Sequence, residues 1–331
     1  MLKRRIADAL LRAYQPRWLR MPSANLRCPV SCALLCCLIA AGLSVSSGCR
    51  SLNCKKATDE NISAARQLSL QGMDAQQKGR WDNAETLYAS AVSRCPTDER
   101  ARCGYAECLW QRGAQDEAMA HMEQAVRISG DDPERVVQLG NMYLSLGQLG
   151  PAGLQADKAI AANRQLSRAW ALRGDVERAQ GRTSEALASY HRALSIQEHY
   201  PEAQFALAEL YTLQNRPQRA LATLQSLSDD YPPGQIPTNV LYREGLVLRN
   251  LGRFQDAAKT LTAASQKGEP SADLLFELAR THQLAGDPAS AGLAAAAALA
   301  RDPNHAPAQQ IKSELDSRQQ MAATTRGPER L

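Results

Sequence analysis

Small and apolar residues recur at helical spacing through the stretch Ala65–Asp98, and this pattern predicts two helices joined by a tight turn. The turn falls at Lys78–Trp81, where Gly79 can adopt the left-handed backbone that ends a helix. Pro96 then ends the second helix. Small residues where the two helices meet allow close packing, but such a hairpin cannot bury its outer face alone. The pattern therefore requires neighbouring hairpins.

The same pattern returns with a period of 34 residues, which supplies those neighbours. It occurs in seven segments, at 65–98, 99–132, 133–166, 167–200, 201–234, 238–271 and 272–305. Position eight of the segments is always small: Gly72, Ala106, Gly140, Gly174, Ala208, Gly245 and Ala279. Position twenty is always alanine: Ala84, Ala118, Ala152, Ala186, Ala220, Ala257 and Ala291. Position fifteen, in the turn, is glycine except at Asn215, and asparagine also tolerates a left-handed backbone.

The period and these three positions resemble the tetratricopeptide repeat (TPR), and the resemblance covers residues 65–305. It implies an all-α fold: a right-handed α-solenoid of seven helical hairpins with one concave and one convex face. After the repeats, Ala306–Met321 carries Ile311 and Leu315 on one apolar stripe, which predicts a capping helix. Residues 322–331 lack such a pattern and are predicted to form a tail.

Before the repeats, a basic leader is followed by an uncharged apolar run, an order typical of an export signal. The run spans Cys28–Gly48, which is also long enough to remain as a membrane anchor. The segment Val45–Cys49 resembles the lipobox of bacterial lipoproteins, and this resemblance implies lipidation of Cys49. Lipidation, an uncleaved anchor and simple secretion all place the repeats outside the cytoplasmic membrane. The predicted division is a leader with a signal or anchor at 1–48 and a polar tether at 49–64.

The charge distribution argues against nucleic acid as a partner. The formal net charge is +5, but residues 1–27 hold seven basic side chains and one acidic side chain. The remainder of the chain is therefore close to neutral, whereas binding to phosphates requires a clustered basic surface. With 44% hydrophobic and 5% aromatic residues, the composition suits a helical protein with an ordinary core.

The sequence contains no motif that predicts catalysis, a cofactor or a metal site. None of the five histidines lies in an HExxH or comparable spacing, and hydrolase elbows, Walker loops and dinucleotide glycine clusters do not occur. The tripeptide Arg173-Gly174-Asp175 lies inside a helix, so we interpret it as structural. Cys95 and Cys103 flank the junction of the first two repeats and could form a disulfide, with free thiols as the alternative.

The resemblance to TPR proteins implies that partners bind on the concave face, which the first helix of each repeat forms. Position five of the last three repeats is aromatic, at Phe205, Tyr242 and Phe276. These rings could line the groove as a ladder for a peptide, or they could pack between neighbouring helices. Polar residues close to the ladder complete this predicted C-terminal site: Arg249, Asn250 and Arg280.

The N-terminal half is expected to present a more polar surface. It does not reproduce the carboxylate clamp of chaperone-binding TPR domains, because Ser69, Cys103 and Val137 stand where that clamp needs a lysine. Recognition of a chaperone C-terminus is therefore not expected.

The sequence thus predicts a non-catalytic, membrane-tethered scaffold that binds a protein or peptide at the bacterial cell envelope. It resembles TPR lipoproteins that help to assemble pili, outer-membrane proteins or wall-synthesis complexes. Two alternatives remain open at this point: an enzyme or enzyme subunit with a site hidden in the repeats, and a soluble secreted adaptor. No cofactor and no nucleic-acid partner are expected.

Overall fold

The computed structural model describes residues 59–232 and 234–325, and within these residues the chain forms fifteen α-helices and no strand. Fourteen helices form seven hairpins and the fifteenth follows them, which confirms the predicted all-α solenoid with a capping helix. The predicted leader, the apolar run and Cys49 lie outside the described residues. The helices are α1 (Asp59–Gln77), α2 (Trp81–Arg94), α3 (Glu99–Gln111), α4 (Gln115–Ile128), α5 (Pro133–Ser145), α6 (Leu149–Ala162), α7 (Ser167–Ala179), α8 (Thr183–Ile196), α9 (Pro201–Leu213), α10 (Pro217–Asp229), α11 (Thr238–Asn250), α12 (Phe254–Ser265), α13 (Ala272–Leu284), α14 (Pro288–Arg301) and α15 (Ala306–Thr325).

The first helix of each hairpin belongs to the inner layer of the solenoid. Each second helix packs against its own first helix and against the first helix of the next repeat, as α2 does between α1 and α3. First helices of neighbouring repeats also contact one another directly, as α5 contacts α7 and α13 contacts α15. The first helices contact second helices and also one another, so they form the tighter, inner curve of the stack. Their free surface is therefore the concave face of the solenoid.

Two helix boundaries differ from the sequence prediction. Helix α1 begins at Asp59, within the segment predicted as a tether. Asp59 and Glu60 place negative charge at the start of the helix, and Ile62 packs against the core of the first hairpin. Helix α15 ends at Thr325, within the segment predicted as a tail, because the alanines that follow Met321 favour helix.

The turn inside every hairpin has the left-handed backbone that the sequence predicts at position fifteen. Its φ angle lies between 55° and 86° in all seven repeats, and Asn215 adopts it as the glycines do. In the first hairpin the N–H of Gly79 donates to the carbonyl of Gln76, and the N–H of Arg80 donates to that of Ala75, both at 2.9 Å. These bonds satisfy the last carbonyls of α1, so the chain can reverse without leaving buried polar groups unpaired.

Close contact between the helices of a hairpin explains the small residues. The alanine at position twenty has no solvent exposure in any of the seven repeats. At position eight, Gly72 lies directly beneath Tyr88 and Gly174 beneath Tyr190, and each ring belongs to the second helix of the same hairpin. A Cβ atom added at Gly174 would lie 2.9 Å from the ring of Tyr190, closer than packed atoms approach. Glycine is therefore required there by space rather than by backbone conformation.

Three cysteines of the first two repeats belong to this packing. Cys95, Cys103 and Cys108 are buried free thiols, so the considered disulfide between Cys95 and Cys103 does not form. The sulfur of Cys103 lies 4.0 Å from that of Met122 instead. Burial raises the pKa of the Cys103 and Cys108 thiols to about 11, which keeps both thiols protonated near neutral pH.

Among the described helices, none combines the length and the apolar composition that crossing a membrane requires.

Replacing Gly174 by alanine tests the packing explanation. We expect Gly174→Ala to destabilise the full chain by about 1–3 kcal/mol, because the added methyl group collides with the buried ring of Tyr190. The measurement is the midpoint of thermal unfolding followed by circular dichroism. Gly150→Ala is the matched control, because Gly150 is also helical but no atom lies within 4 Å of the Cβ that would be added. Equal losses of stability in the two variants would contradict the explanation.

Candidate functional site

The inner face of the first three repeats holds an open cavity of about 700 Å³, which we call the N-terminal groove. Its walls come from α1, α3 and α5, the first helices of successive repeats, and from one ring of α2. The groove therefore lies on the concave face of the solenoid. Its lining residues are Arg66, Ser69, Leu70, Met73, Gln76, Gln77, Tyr88, Asp98, Arg100, Cys103, Gly104, Glu107 and Arg135.

One wall of the N-terminal groove is apolar and open to solvent. Leu70 is 56% exposed and Met73 is 46% exposed. Both project from α1, the first described helix, so no earlier described repeat covers them. Two adjacent exposed apolar side chains in a groove offer contact area to a partner.

A chain of hydrogen bonds crosses the floor of the groove through three repeats. The hydroxyl of Tyr88 donates to Gln76 Oε1 at 3.0 Å, and Gln76 Nε2 donates to Glu107 Oε2 at 2.7 Å. Gln138 Nε2 donates to the other oxygen of Glu107 at 3.4 Å, and Arg135 Nη1 donates to Gln138 Oε1 at 3.0 Å. Burial, together with the charges of Cys108 and Glu107, raises the pKa of Tyr88 to about 12, so its hydroxyl remains a donor.

A smaller cavity of about 260 Å³, here called the tryptophan cavity, extends the groove from Gln76 and Glu107. Trp81, which is 37% exposed, and Trp110 supply its aromatic surface. Three amide side chains also line it: Gln111, Gln138 and Asn141. Amides both donate and accept hydrogen bonds, so they match the main chain of an extended peptide.

The three aromatic residues of the predicted C-terminal site are all half-buried. Phe205 packs against the core formed by α9, α10 and α11. Tyr242 contacts two core clusters of the last two repeats, and burial raises its pKa. Phe276 packs against the cores that reach α15, with its ring 5.4 Å from that of His305. Each ring therefore contributes to the junction between repeats and also keeps a partly exposed edge.

The polar residues predicted beside these rings have three different surroundings. Arg249 forms an ion pair with Glu277 of the next repeat, and its side chain is only 12% exposed. Asn250 is exposed at the end of α11. Arg280 is exposed and lies with Phe276 in a cavity of about 320 Å³ between α13 and α15. The structure thus brings Phe276 and Arg280 together, whereas Arg249 is held within the contact between repeats six and seven.

Histidines and other titratable residues make local contacts. No group of three or more His, Cys, Asp or Glu residues that could hold a metal occurs in residues 59–232 and 234–325. His199 pairs with Asp230 at 2.6 Å, and His305 pairs with Asp273 at 3.1 Å. The first pair joins repeats four and five, and the second joins the two ends of repeat seven.

The Arg-Gly-Asp tripeptide is part of the framework. Arg173 donates to the buried Glu177 at 3.1 Å, and Asp175 accepts a hydrogen bond from the Tyr190 hydroxyl at 2.6 Å. Gly174 lies beneath the same tyrosine ring. The tripeptide is therefore engaged within α7 and α8, in agreement with its structural interpretation.

The N-terminal groove was not predicted from the sequence. Its arginines are Arg66 and Arg100, at position two of the first two repeats, and Arg135, at position three of the third. The available signal was that arginine occupies position two in successive repeats, beside the apolar pair Leu70 and Met73 in a first helix. Arginine at one position of two repeats is a weaker sequence signal than an aromatic residue at the same position of three successive repeats.

Sequence models of one family match this chain, and each is described as a tetratricopeptide repeat. The matches cover residues 69–133, 177–235 and 242–306, together more than half of the chain. Among curated proteins, none matches the sequence.

Several solved structures share the fold at low sequence identity. YrrB, described as a TPR protein with an unusual peptide-binding site, is 20% identical with a TM-score of 0.50, over 58% of this chain and 97% of that one. A tetratricopeptide repeat protein from Parabacteroides merdae is 15% identical with a TM-score of 0.53, over 76% and 99% of the two chains. Pseudomonas aeruginosa PilF is 13% identical with a TM-score of 0.51, over 77% and 99%. The seven hairpins and the family matches agree, and the chain belongs to the tetratricopeptide repeat family.

Proposed function

We propose that this protein is a non-catalytic scaffold that is tethered to the membrane and binds a protein or peptide partner at the bacterial cell envelope. The observation that carries the proposal is the N-terminal groove of about 700 Å³ on the concave face. Its exposed apolar side chains, amides and arginines are the groups with which proteins recognise extended peptides.

The arrangement of the groove favours binding over chemistry. Glu107 is a titratable group at its centre, and it accepts hydrogen bonds from Gln76 and Gln138. A carboxylate held by two amides serves to position those amides rather than to move protons during a reaction. YrrB, which has a similar fold, is described as having a peptide-binding site, and this likeness of fold also supports the proposal.

We further propose that the predicted C-terminal site contributes a second contact surface. Phe276 and Arg280 share the cavity beside α15, and Phe205 and Tyr242 precede them along the same inner layer. An aromatic edge beside an exposed arginine suits an apolar side chain followed by a carboxylate. A long partner could then contact both ends of the concave face.

The tether in this proposal is the N-terminal segment. The uncharged run Cys28–Gly48 follows a basic leader, and lipidation of Cys49 would hold the repeats at a membrane surface.

Crosslinked capture from the membrane fraction tests the C-terminal surface. We expect Phe205→Ala, Tyr242→Ala and Phe276→Ala combined to reduce capture of the partner severalfold, because three aromatic contact surfaces are lost. The matched control is Leu154→Ala with Leu293→Ala, which removes two side chains of second helices that are 69% and 75% exposed.

A second variant avoids any loss of core packing in the triple mutant. Arg280→Glu changes only an exposed side chain and is expected to reduce the same capture. Thermal unfolding establishes that each variant is folded. Unchanged capture by both folded variants would remove this surface from the proposal.

Cysteine replacement tests the tether. We expect Cys49→Ser to abolish incorporation of labelled fatty acid and to leave an unprocessed precursor, because the lipid is attached to that thiol. Cys54→Ser is the control, since it removes the neighbouring thiol of the tether and should leave labelling unchanged. Inhibition of lipoprotein signal peptidase should also cause the precursor of the natural chain to accumulate. Equal labelling of the two variants would exclude Cys49 as the attachment site.

A further inference from the structure

We propose that the N-terminal groove is selective for an acidic peptide, in which carboxylates lie beside an apolar side chain and an aromatic or apolar residue follows. This inference rests on the proposed peptide-binding function and specifies the chemistry of its ligand. Three features of the groove carry it: arginines without acidic partners among the described residues, carboxylates that already accept hydrogen bonds, and an exposed apolar wall.

The arginines of the groove lack acidic partners within the described chain. Arg66 is exposed in the middle of the long helix α1, Arg100 is exposed near the N-terminal end of α3, and Arg135 lies near the N-terminal end of α5. None of the three forms an ion pair with a carboxylate of the described residues. First-helix arginines of the fourth repeat differ, because each has a carboxylate within 4 Å: Arg168 has Glu134, Arg173 has Glu177, and Arg178 has Asp175.

Arg135 also contains a polar atom that requires a partner. Its Nε is buried and has no hydrogen-bond acceptor, although Nη1 of the same guanidinium donates to Gln138. Leaving a buried guanidinium N–H unpaired is costly, and a carboxylate is the acceptor whose geometry fits a guanidinium best. Burial is the main cause of the raised pKa of the Cys103 thiol. The positive charge of Arg135 acts in the opposite direction and lowers this pKa, because the guanidinium lies near Cys103 in the lining of the groove.

The two carboxylates of the groove are occupied by other groups. Asp98 accepts from the N–H of Ala101 at 3.1 Å, as the cap of α3, and from the hydroxyl of Ser69 at 3.2 Å. Glu107 accepts from two glutamines. Neither is therefore paired with the arginines, whose charge remains available to a ligand.

A short extended segment would fit along α3, which lies between α1 and α5 in the wall of the groove. A helix of 13 residues such as α3 is about 20 Å long, and about six extended residues span that distance. Carboxylates at one end would meet Arg66, Arg100 and Arg135, and the next apolar side chain would contact Leu70 and Met73. The far end would reach the tryptophan cavity, where amides can bond to the peptide main chain.

The tether of this chain does not have the required charge. Residues 49–58, which precede α1, contain Arg50, Lys55 and Lys56 and no acidic residue. Lysines and arginines would repel the arginines of the groove. The fitting occupant is therefore an acidic segment of a partner protein.

Labelled peptides test the selectivity directly with the full chain in detergent. The probe is a fluorescein-labelled hexapeptide that begins Glu-Asp-Leu and ends in Trp. The comparison peptides replace the two acids by Gln-Asn or by Lys-Lys. We expect the acidic peptide to bind at least about tenfold more tightly than the Gln-Asn peptide, with an affinity that falls when salt is raised from about 0.05 M to about 0.5 M. Equal affinity for the acidic and neutral peptides would overturn the proposal.

Charge reversal identifies the surface involved. Arg66→Glu with Arg100→Glu is expected to weaken the acidic peptide by about tenfold or more and to strengthen the Lys-Lys peptide. Both side chains are exposed, so the variant should fold, and thermal unfolding checks this. The matched control is Arg164→Glu with Arg216→Glu, two exposed arginines that do not line the groove. Equal weakening by the control, or tighter binding of a six-nucleotide DNA strand, would overturn the assignment to an acidic peptide.

The failure of this inference can be distinguished from the failure of the proposed function. If the charge-reversed chain still captures its membrane partner but no variant prefers acidic peptides, the groove chemistry is wrong and the scaffold role stands. If the natural chain captures no partner at all, the proposed function itself fails.

Discussion

The architecture depends on how closely two helices can approach within a hairpin. Alanine at position twenty is completely buried in every repeat, and position eight is occupied by glycine or alanine in every repeat. The large side chain above it differs between repeats, as with Tyr88 above Gly72 and Leu261 above Gly245. The short distance between the two helices is therefore the feature that the hairpins share, and the other core side chains pack around it. Seven similar hairpins then stack side by side, and their first helices form the inner layer.

The same constraint leaves the inner face available for binding. Because small residues between the helices set the hairpin geometry, side chains on the free side of the first helices are not needed to hold it. In repeats one to three these side chains form a hydrogen-bonded floor with arginines at one end. In the last repeats they contribute more to stability, since Phe205, Tyr242 and Phe276 pack into junctions and Arg249 pairs with Glu277. The inner face of the first helices is thus more available for binding in repeats one to three than in the last repeats.

The sequence was sufficient for the architecture because its determinants act within one 34-residue unit. The left-handed turn is recognisable from glycine, or from Asn215, at position fifteen of the repeat. The close approach of the two helices is recognisable from alanine at position twenty. The groove could not be predicted in this way. Arg66, Arg100 and Arg135 each belong to a different repeat, and they share a surface only after the hairpins have stacked.

The sequence placed the three aromatic residues on first helices but did not specify how deeply their rings are buried. Position five indicates that a ring lies on the first helix, but the spacing does not specify how far the next repeat covers it. Each of the three rings is half-buried because the neighbouring helix lies against it. The start of α1 at Asp59 escaped prediction for a related reason, since Ile62 is a single apolar residue whose partners in the first hairpin core are distant in sequence.

The polar floor of the N-terminal groove has a mechanical consequence. A solenoid in which each repeat contacts mainly its neighbours bends by small rotations at every junction. The hydrogen bonds from Tyr88 through Glu107 to Arg135 cross two such junctions in sequence, so rotation at either junction stretches the same chain of bonds. Rotation at the two junctions of repeats one to three is therefore resisted by one connected set of hydrogen bonds. A peptide in the groove would therefore meet a surface whose shape is already set before it binds.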